Sequence, residues 1–310
     1  MLPILFIILS FQKSPIIGML SKPFYEEYNI SSTYNYVIES QYVRFITQAG
    51  GRVVPIRHDL SDTDLEALLN QLDGALLPGG GSEIRTFDAN NAPIGYTTLG
   101  KTGKAIVDYS IKAKKSGVQF PIWGTCLGFE IIGIAFTNNL AILSECPNKD
   151  CSTMNAIVNI TKTTGPLIDS LSSTTQYAIQ TEKITVNNHM WMISESDFLH
   201  SNLSDNFFLS GTSPSISGIY TFVSIFEGSM FPIYGVQFHP ELHNLKIWEH
   251  AKFVPHNITS IEFGESLANF MVEQCRKSTH KMSDSDYEKH SIYLASTYYT
   301  SDTYQLYVFN

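Results

Sequence analysis

The sequence predicts an α/β fold: a single domain with a mostly parallel sheet flanked by helices, and antiparallel strands added in the second half. Two observations carry this. Up to about Asn139, short apolar runs alternate with amphipathic stretches at helical spacing, the pattern of βαβ units around a parallel sheet. After Asn139 the texture changes to short β-like pieces separated by polar turns, with no internal repeat and no long linker.

"PIIGML" (Pro15 to Leu20) reads as the first strand. "ESQYVRFITQAGG" follows as a helix with Tyr42, Val43, Phe45 and Ile46 at helical spacing and two glycines at its end. "RVVPIRH" is the next strand. "SDTDLEALLNQLDG" is a helix with a Ser/Asp cap and Leu65, Leu68, Leu69 and Leu72 on one face. "ALLPGGG" is a strand running into a glycine loop, "TGKAIVDYSIKAKKSG" a helix, "FPIWG" a strand and "LGFEIIGIAFTN" a helix. In the second half, "AIVNITKT", "KITVNNHMWMI", "GIYTFVSIFEG" and "FPIYGVQFHPE" read as strands. "TSIEFGESLANFMVEQCRK" reads as a late helix, and "YEKHSIYLASTYYTSDTYQLYVFN" as an aromatic, strand-like end.

The 310 residues are 43% hydrophobic and 16% charged, a globular composition with room for a full core. The net charge of −9 argues against nucleic acid as a partner, because neutralising phosphates needs clustered Lys and Arg. "KAKK" (Lys112 to Lys115) reads as a solvated helix end. The apolar run Leu2 to Phe11 is too short to span a bilayer and has the length of a signal-peptide core. Residues 1–14 are therefore read as a signal peptide and 15–310 as the functional domain. The competing reading is a first buried strand. No stable membrane anchor is expected.

Sequons begin at Asn29, Asn159, Asn202 and Asn257. Of the cysteines, Cys146 and Cys151 flank the polar insert "PNKD". A closed loop in an oxidising compartment and a pair of free thiols both fit. Cysteine spacing offers no zinc site.

The chemistry centres on "WGTCLG". A G-x-C-x-G run between strand and helix follows the logic of a nucleophile elbow, with Cys126 at the corner and Gly124 and Gly128 permitting the tight turn. The helix N-terminus behind Cys126 favours negative charge and offers N–H groups to an oxyanion. The competing reading is a buried core cysteine. In "YGVQFHPE", His239 follows a strand and Glu241 lies two residues on, the pattern of a base and its orienting acid; an ordinary loop histidine is the alternative. "LLPGGG" (Leu76 to Gly81) ends a strand on the edge where open α/β sheets bind ligands.

In the order "PGG…GTCLGF…GVQFHPE", these motifs resemble the class I glutamine amidotransferase-like superfamily, and within it the γ-glutamyl hydrolase (folylpolyglutamate hydrolase) family. "PIIGML", "GGRVVPIRHDL", "PIWGTCLGFE", "NNHMW" and "YGVQFHPE" carry the resemblance, which runs from Pro15 to the aromatic end. It implies cleavage of γ-glutamyl bonds in folate and antifolate poly-γ-glutamates, in lysosomes, vacuoles or outside the cell, with no metal and no organic cofactor. It implies Cys126 as nucleophile, His239 as proton shuttle and Glu241 as its orienter. Oxyanion donors would be the amides of Gly80 and Leu127, and substrate contacts would come from Tyr42, His189 and Glu130.

From the residues alone, His189 also reads as a packed histidine, Tyr42 as core, and Glu130 as a favourable charge at a helix start. Arg57 or Arg85, near strand ends, would offset the repulsion between an acidic chain and an anionic substrate. Two rival functions are the glutaminase-type component of an amidotransferase and a non-catalytic folate-binding protein on the same fold. A homodimer is the default assembly.

Overall fold

The computed structural model describes residues 13–24, 33–161, 164–243, 252–301 and 304–310. The expected signal-peptide core and the Asn29 sequon lie outside the described residues.

The centre is an eight-stranded sheet. Its strands in chain order are β1 (Ile16–Leu20), β2 (Arg52–Ile56), β3 (Gly74–Leu77), β4 (Ile122–Thr125), β5 (Asn159–Ile160), β6 (Phe207–Pro214), β7 (Thr221–Gly228) and β8 (Ile233–Val236). Across the sheet they lie in the order β5-β6-β7-β8-β4-β3-β1-β2. From β8 through β2 all neighbours are parallel. The strands β5, β6 and β7 extend the same sheet antiparallel to their neighbours. The helices that matter for the site are α1 (Ser40–Thr47), α2 (Asp62–Leu69), α3 (Thr98–Lys115), α4 (Leu127–Thr137) and α5 (Ile258–Arg276).

The parallel strands are apolar throughout because both faces are covered. One face packs Leu77, Phe129, Ile132 and Phe226 with α3 and α4. The other packs Leu76, Trp123, Tyr42, Phe45, Phe263 and Leu267, which come from the sheet, α1 and α5.

Local signals place the helix ends. Ser61 caps α2 by accepting from the Asp64 amide at 3.2 Å, and Thr97 caps α3 by accepting from Gly100 at 3.2 Å. After α1, Gly50 takes φ +86° while the Gly51 amide donates to Ile46 O and the Gly50 amide to Thr47 O, a Schellman closure.

The aromatic end differs from the sequence expectation in its first part. Asp284–His290 and Ile292–Ala295 are helical, because Ser283 caps the first of these by accepting from the Asp286 amide at 3.0 Å. Only Thr297–Thr300 and Gln305–Phe309 are strands. Gln305–Phe309 pairs with Tyr36–Glu39, which leads directly into α1. Cys146 and Cys151 are disulfide-bonded, which resolves the two readings their spacing left open, while Cys126 and Cys275 are free and buried.

Candidate active site

The C-terminal ends of β3, β4 and β8 lie side by side, with Leu77 opposite Gly124 and Val236 opposite Thr125. Each delivers one piece of the site, as expected at the strand ends of an open α/β sheet.

From β4 the chain turns at Cys126 into α4. Cys126 has φ +50° and ψ −104°, a strained conformation for a residue with a side chain. Its amide donates to Val236 O at 2.9 Å, which ties the corner to β8. The elbow needs its glycines for close approach. A Cβ on Gly124 would meet Ile132 Cδ1 at 2.5 Å and the Gly128 carbonyl carbon at 2.7 Å, and one on Gly128 would collide with the Leu77 backbone. With both present, α4 sits tightly over β3 and β4. The sulfur is held at the helix N-terminus, in a residue 5% exposed.

From β8 the chain runs through Gln237 and Phe238 to His239. Pro240 then starts a single 3₁₀ turn, Pro240–Leu242. That turn brings Glu241 back, so its Oε1 lies 2.8 Å from His239 Nδ1. The Glu241 side chain is 1% exposed and that of His239 12%. Gly264 lets α5 pack against the Pro240 carbonyl, which braces the turn. On its other side His239 lines the same cavity as Cys126, and both side chains crowd Gly79, where an added Cβ would meet His239 Cε1 at 2.9 Å and Cys126 Cβ at 3.2 Å. Burial alone would lower the imidazole's pKa. The negative charge of Glu241, and then the electrostatic interaction with neighbouring Cys126, outweigh it and hold His239 well above its ordinary value.

From β3 comes the glycine loop. The Gly79 amide donates to Tyr42 Oη at 2.9 Å, and that hydroxyl lies 3.4 Å from His239 Nδ1. Burial, then Glu241, Glu39 and Cys126, raise the Tyr42 phenol, so it stays protonated. With the Gly79 amide engaged, Gly80 is the next N–H along the loop. Among the described residues, neither the Gly80 nor the Leu127 amide donates to an acceptor. Both residues line the cavity beside Cys126. Tyr42 does not line it. Its ring packs in the core and its hydroxyl supports Gly79 and His239 from behind, because α1 crosses the sheet face beneath the glycine loop.

The cavity encloses about 470 Å³ and reaches from Cys126 and His239 past Glu130 and Arg85 to His189 and Trp191. Burial pushes the Glu130 carboxyl up to about 8, against a hydrogen bond from Gln237 Nε2 (3.4 Å) and the charge of Arg85. His189 donates its Nδ1–H to Trp191 O at 2.9 Å, and burial lowers it to about 3, so the ring is neutral. Its Nε2 is then a bare acceptor, and it is buried with no hydrogen-bond partner.

Of the two arginines suggested by sequence, Arg85 lines the cavity, donating to Leu140 O at 2.8 Å and lying over the Trp191 ring at 4.3 Å. Arg57 does not. It pairs with Asp59 and covers Tyr36, which removes it from any role toward a ligand in this cavity. Among the described residues no cluster of His, Cys, Asp or Glu could hold a metal, and no helix is long and apolar enough to cross a membrane.

The Glu130 shift has a measurable consequence. Between pH 4.5 and about 8 the folded protein holds a proton on Glu130 that the unfolded chain releases, so this group makes stability fall as pH rises through that window. His189 and His243, lowered by burial to about 3 and about 4, act in the opposite sense below pH 6.5. Comparing wild type with Glu130→Gln isolates the first effect. The melting temperature of the variant minus that of wild type is expected to increase from pH 5 to pH 8. A difference that is flat with pH refutes it.

Two contributors to the site were missed in the sequence. Gly79 was hidden within "PGGG", where nothing local says which glycine meets which neighbour. Lys149 lines the cavity from the "CPNKDC" insert, to which no role was attached.

The family model described as Peptidase C26 matches residues 15–241. The human protein named gamma-glutamyl hydrolase is 32% identical over 307 residues, covering 96% of this chain and 90% of its own length. Gamma-glutamyl hydrolase B of Dictyostelium discoideum is 32% identical over 302 residues, covering 96% of this chain and 83% of its own. Among solved structures, a GMP synthase component from Thermoplasma acidophilum aligns at TM-score 0.49 and 18% identity, over 85% of this chain and 94% of its own.

Proposed function

Because the chain belongs to the Peptidase C26 family and is, like its relatives, a γ-glutamyl hydrolase, we propose that it shortens folate poly-γ-glutamates through an acyl-enzyme on Cys126. The observation that carries this reading is the junction of three strand ends, where Cys126 and His239 line one cavity and Glu241, outside its lining, lies 2.8 Å from His239 Nδ1.

In this reading His239 takes the thiol proton of Cys126, and the sulfur attacks the γ-carbonyl carbon of the scissile amide. The carbonyl oxygen becomes an oxyanion and receives the amides of Leu127 and Gly80. Glu241 accepts from His239 Nδ1–H. It thereby fixes the tautomer that works through the other nitrogen and stabilises the imidazolium. The tetrahedral adduct collapses as His239 gives its proton to the leaving α-nitrogen, releasing the downstream glutamate or polyglutamate. Water, deprotonated by His239, then hydrolyses the thioester and regenerates the thiol. Tyr42 acts from behind, setting Gly79 and the His239 ring. Glu130, carrying a proton at neutral pH, offers a donor to the substrate, and His189 Nε2 offers an acceptor for an amide N–H.

Residues 15–310 act as the catalytic unit. Export through the secretory route to a lysosome, vacuole or the outside is supported by the Cys146–Cys151 disulfide, which suits an oxidising compartment.

The test is incubation of purified protein with a folate pentaglutamate and, in parallel, with free glutamine, with products read by mass spectrometry. Shortened folates with glutamine left intact are expected. Intact pentaglutamate beside hydrolysed glutamine would overturn the reading in favour of a glutaminase.

A further inference from the structure

The insert "CPNKDC" is built into the site wall. Its disulfide packs with Met192 and Phe222, and Phe222 also meets the His189 ring edge-on at 4.8 Å. The loop is stitched to the His189 segment at both ends. The Cys146 amide donates to Met190 O at 2.7 Å, the His189 amide to Cys151 O at 3.1 Å, and Ser152 Oγ to His189 O at 3.2 Å. Between the two cysteines, Asn148 and Lys149 both take positive φ, +57° and +59°. Both residues lie between the bonded cysteines, whose Cα atoms are 6.0 Å apart, so the disulfide and these hydrogen bonds fix both ends of the segment that carries Lys149.

Lys149 lines the catalytic cavity near its rim. The cavity's charged lining consists of Glu83, Glu130, Arg85 and Lys149, with His189 and His239 as its imidazoles. Arg85 is buried and committed to Leu140 O and the faces of Phe87 and Trp191. Lys149 is exposed and has no ion-pair partner among the described residues. The adjacent Asp150 is engaged elsewhere, accepting from the Ser217 amide at 2.9 Å and from Ser217 Oγ at 2.6 Å. A free ammonium is thus held on a clamped loop at the mouth of a cavity whose other cation is already engaged, in a chain of net charge −9.

We propose that Lys149 is the carboxylate-binding cation of the site, receiving an α-carboxylate that flanks the scissile γ-glutamyl bond. The assignment rests on the functional reading above and names the part of the substrate that this loop selects. Every glutamate of a γ-linked tail keeps its α-carboxylate, so one such group lies on each side of the bond to be cut. A rim cation recognises the chain by one of them.

The test compares wild type with Lys149→Gln and Lys149→Arg on three substrates. One is pteroyl-γ-glutamyl-glutamate. In the other two, 4-aminobutyrate, which is glutamate without its α-carboxylate, replaces either the leaving or the acyl residue. With Lys149→Gln, KM for the diglutamate is expected to rise about three- to tenfold with kcat little changed, the size of one charge-assisted contact near solvent. Lys149→Arg should keep most of the wild-type KM. The penalty should vanish for whichever analogue lacks the carboxylate that Lys149 binds, and this identifies the side. A KM unchanged in Lys149→Gln, or a parallel loss on all three substrates, overturns the assignment. Wild-type protein that cleaves none of the three overturns the functional reading and this assignment with it, an outcome visible before any variant is compared.

Discussion

Cys126→Ala is expected to lower kcat for γ-glutamyl release by about 10⁴-fold or more, the scale of loss when a covalent nucleophile is removed. Cys126 lines the cavity with His239 at the start of α4, and the other free cysteine among the described residues, Cys275, packs against Gly74 at the opposite end of β3 and cannot substitute for it. The fold should survive. Alanine keeps the backbone of the corner, and the residue 126 amide keeps its bond to Val236 O. Cys126→Gly should be as inactive, yet more stable than Cys126→Ala by about 1 kcal/mol, because glycine accepts φ +50° without the steric cost the cysteine bears. Glutamate release and chemical denaturation of both variants provide the check. Residual turnover within tenfold of wild type would remove Cys126 from the mechanism. Equal stabilities would mean that the corner stores no strain.

Gly79→Ala should cost about 10²-fold in kcat through geometry alone. A Cβ at this position would sit 2.5 Å from Tyr42 Oη, 2.9 Å from His239 Cε1 and 3.2 Å from Cys126 Cβ. It would therefore be driven between the nucleophile and its base while pushing away the hydroxyl that supports them. Those atoms belong to packed side chains that are buried or braced by Glu241, so the strain cannot be relieved by a flexible tip. Gly81, two residues on, has open space where its Cβ would be, and Gly81→Ala should lose far less. The diagnostic result is a low kcat in Gly79→Ala with reduced thiol alkylation by iodoacetamide, since a displaced His239 no longer assists Cys126. Activity near that of wild type would show that the loop yields instead.

The strand and helix alternation up to Asn139 was legible because burial on a parallel sheet is written locally, in apolar runs such as "GALL" and in capped helices such as the one that Ser61 begins. The elbow was legible for the same reason. Gly124, Cys126 and Gly128 follow one another closely in the chain, so the corner is visible there, although the Leu77 backbone that requires Gly128 is not. His239 and Glu241 were readable as a pair because a proline-started turn of three residues returns the acid to the ring. The helix at Asp284–His290 was misread for a local reason too: the aromatic residues beyond it outweighed a Ser cap and an acidic first turn.

What the tertiary structure decided is which distant segments meet. The order β8-β4-β3 sets His239, Cys126 and the glycine loop side by side, and no local pattern specifies that order. It places the Tyr42 hydroxyl under Gly79 and commits that amide, while the Gly80 amide beside the cavity has no acceptor among the described residues. It separates Arg85, in the cavity wall, from Arg57, paired with Asp59 outside it, although both were near strand ends in the sequence. It closes Cys146 onto Cys151 and so turns an unassigned insert into the wall that carries Lys149. The sequence by itself determined the chemistry available at each corner, because side-chain type and turn geometry are local. Which corners face one cavity depends on strand order and helix packing, which are settled only when the whole chain buries its two apolar faces together.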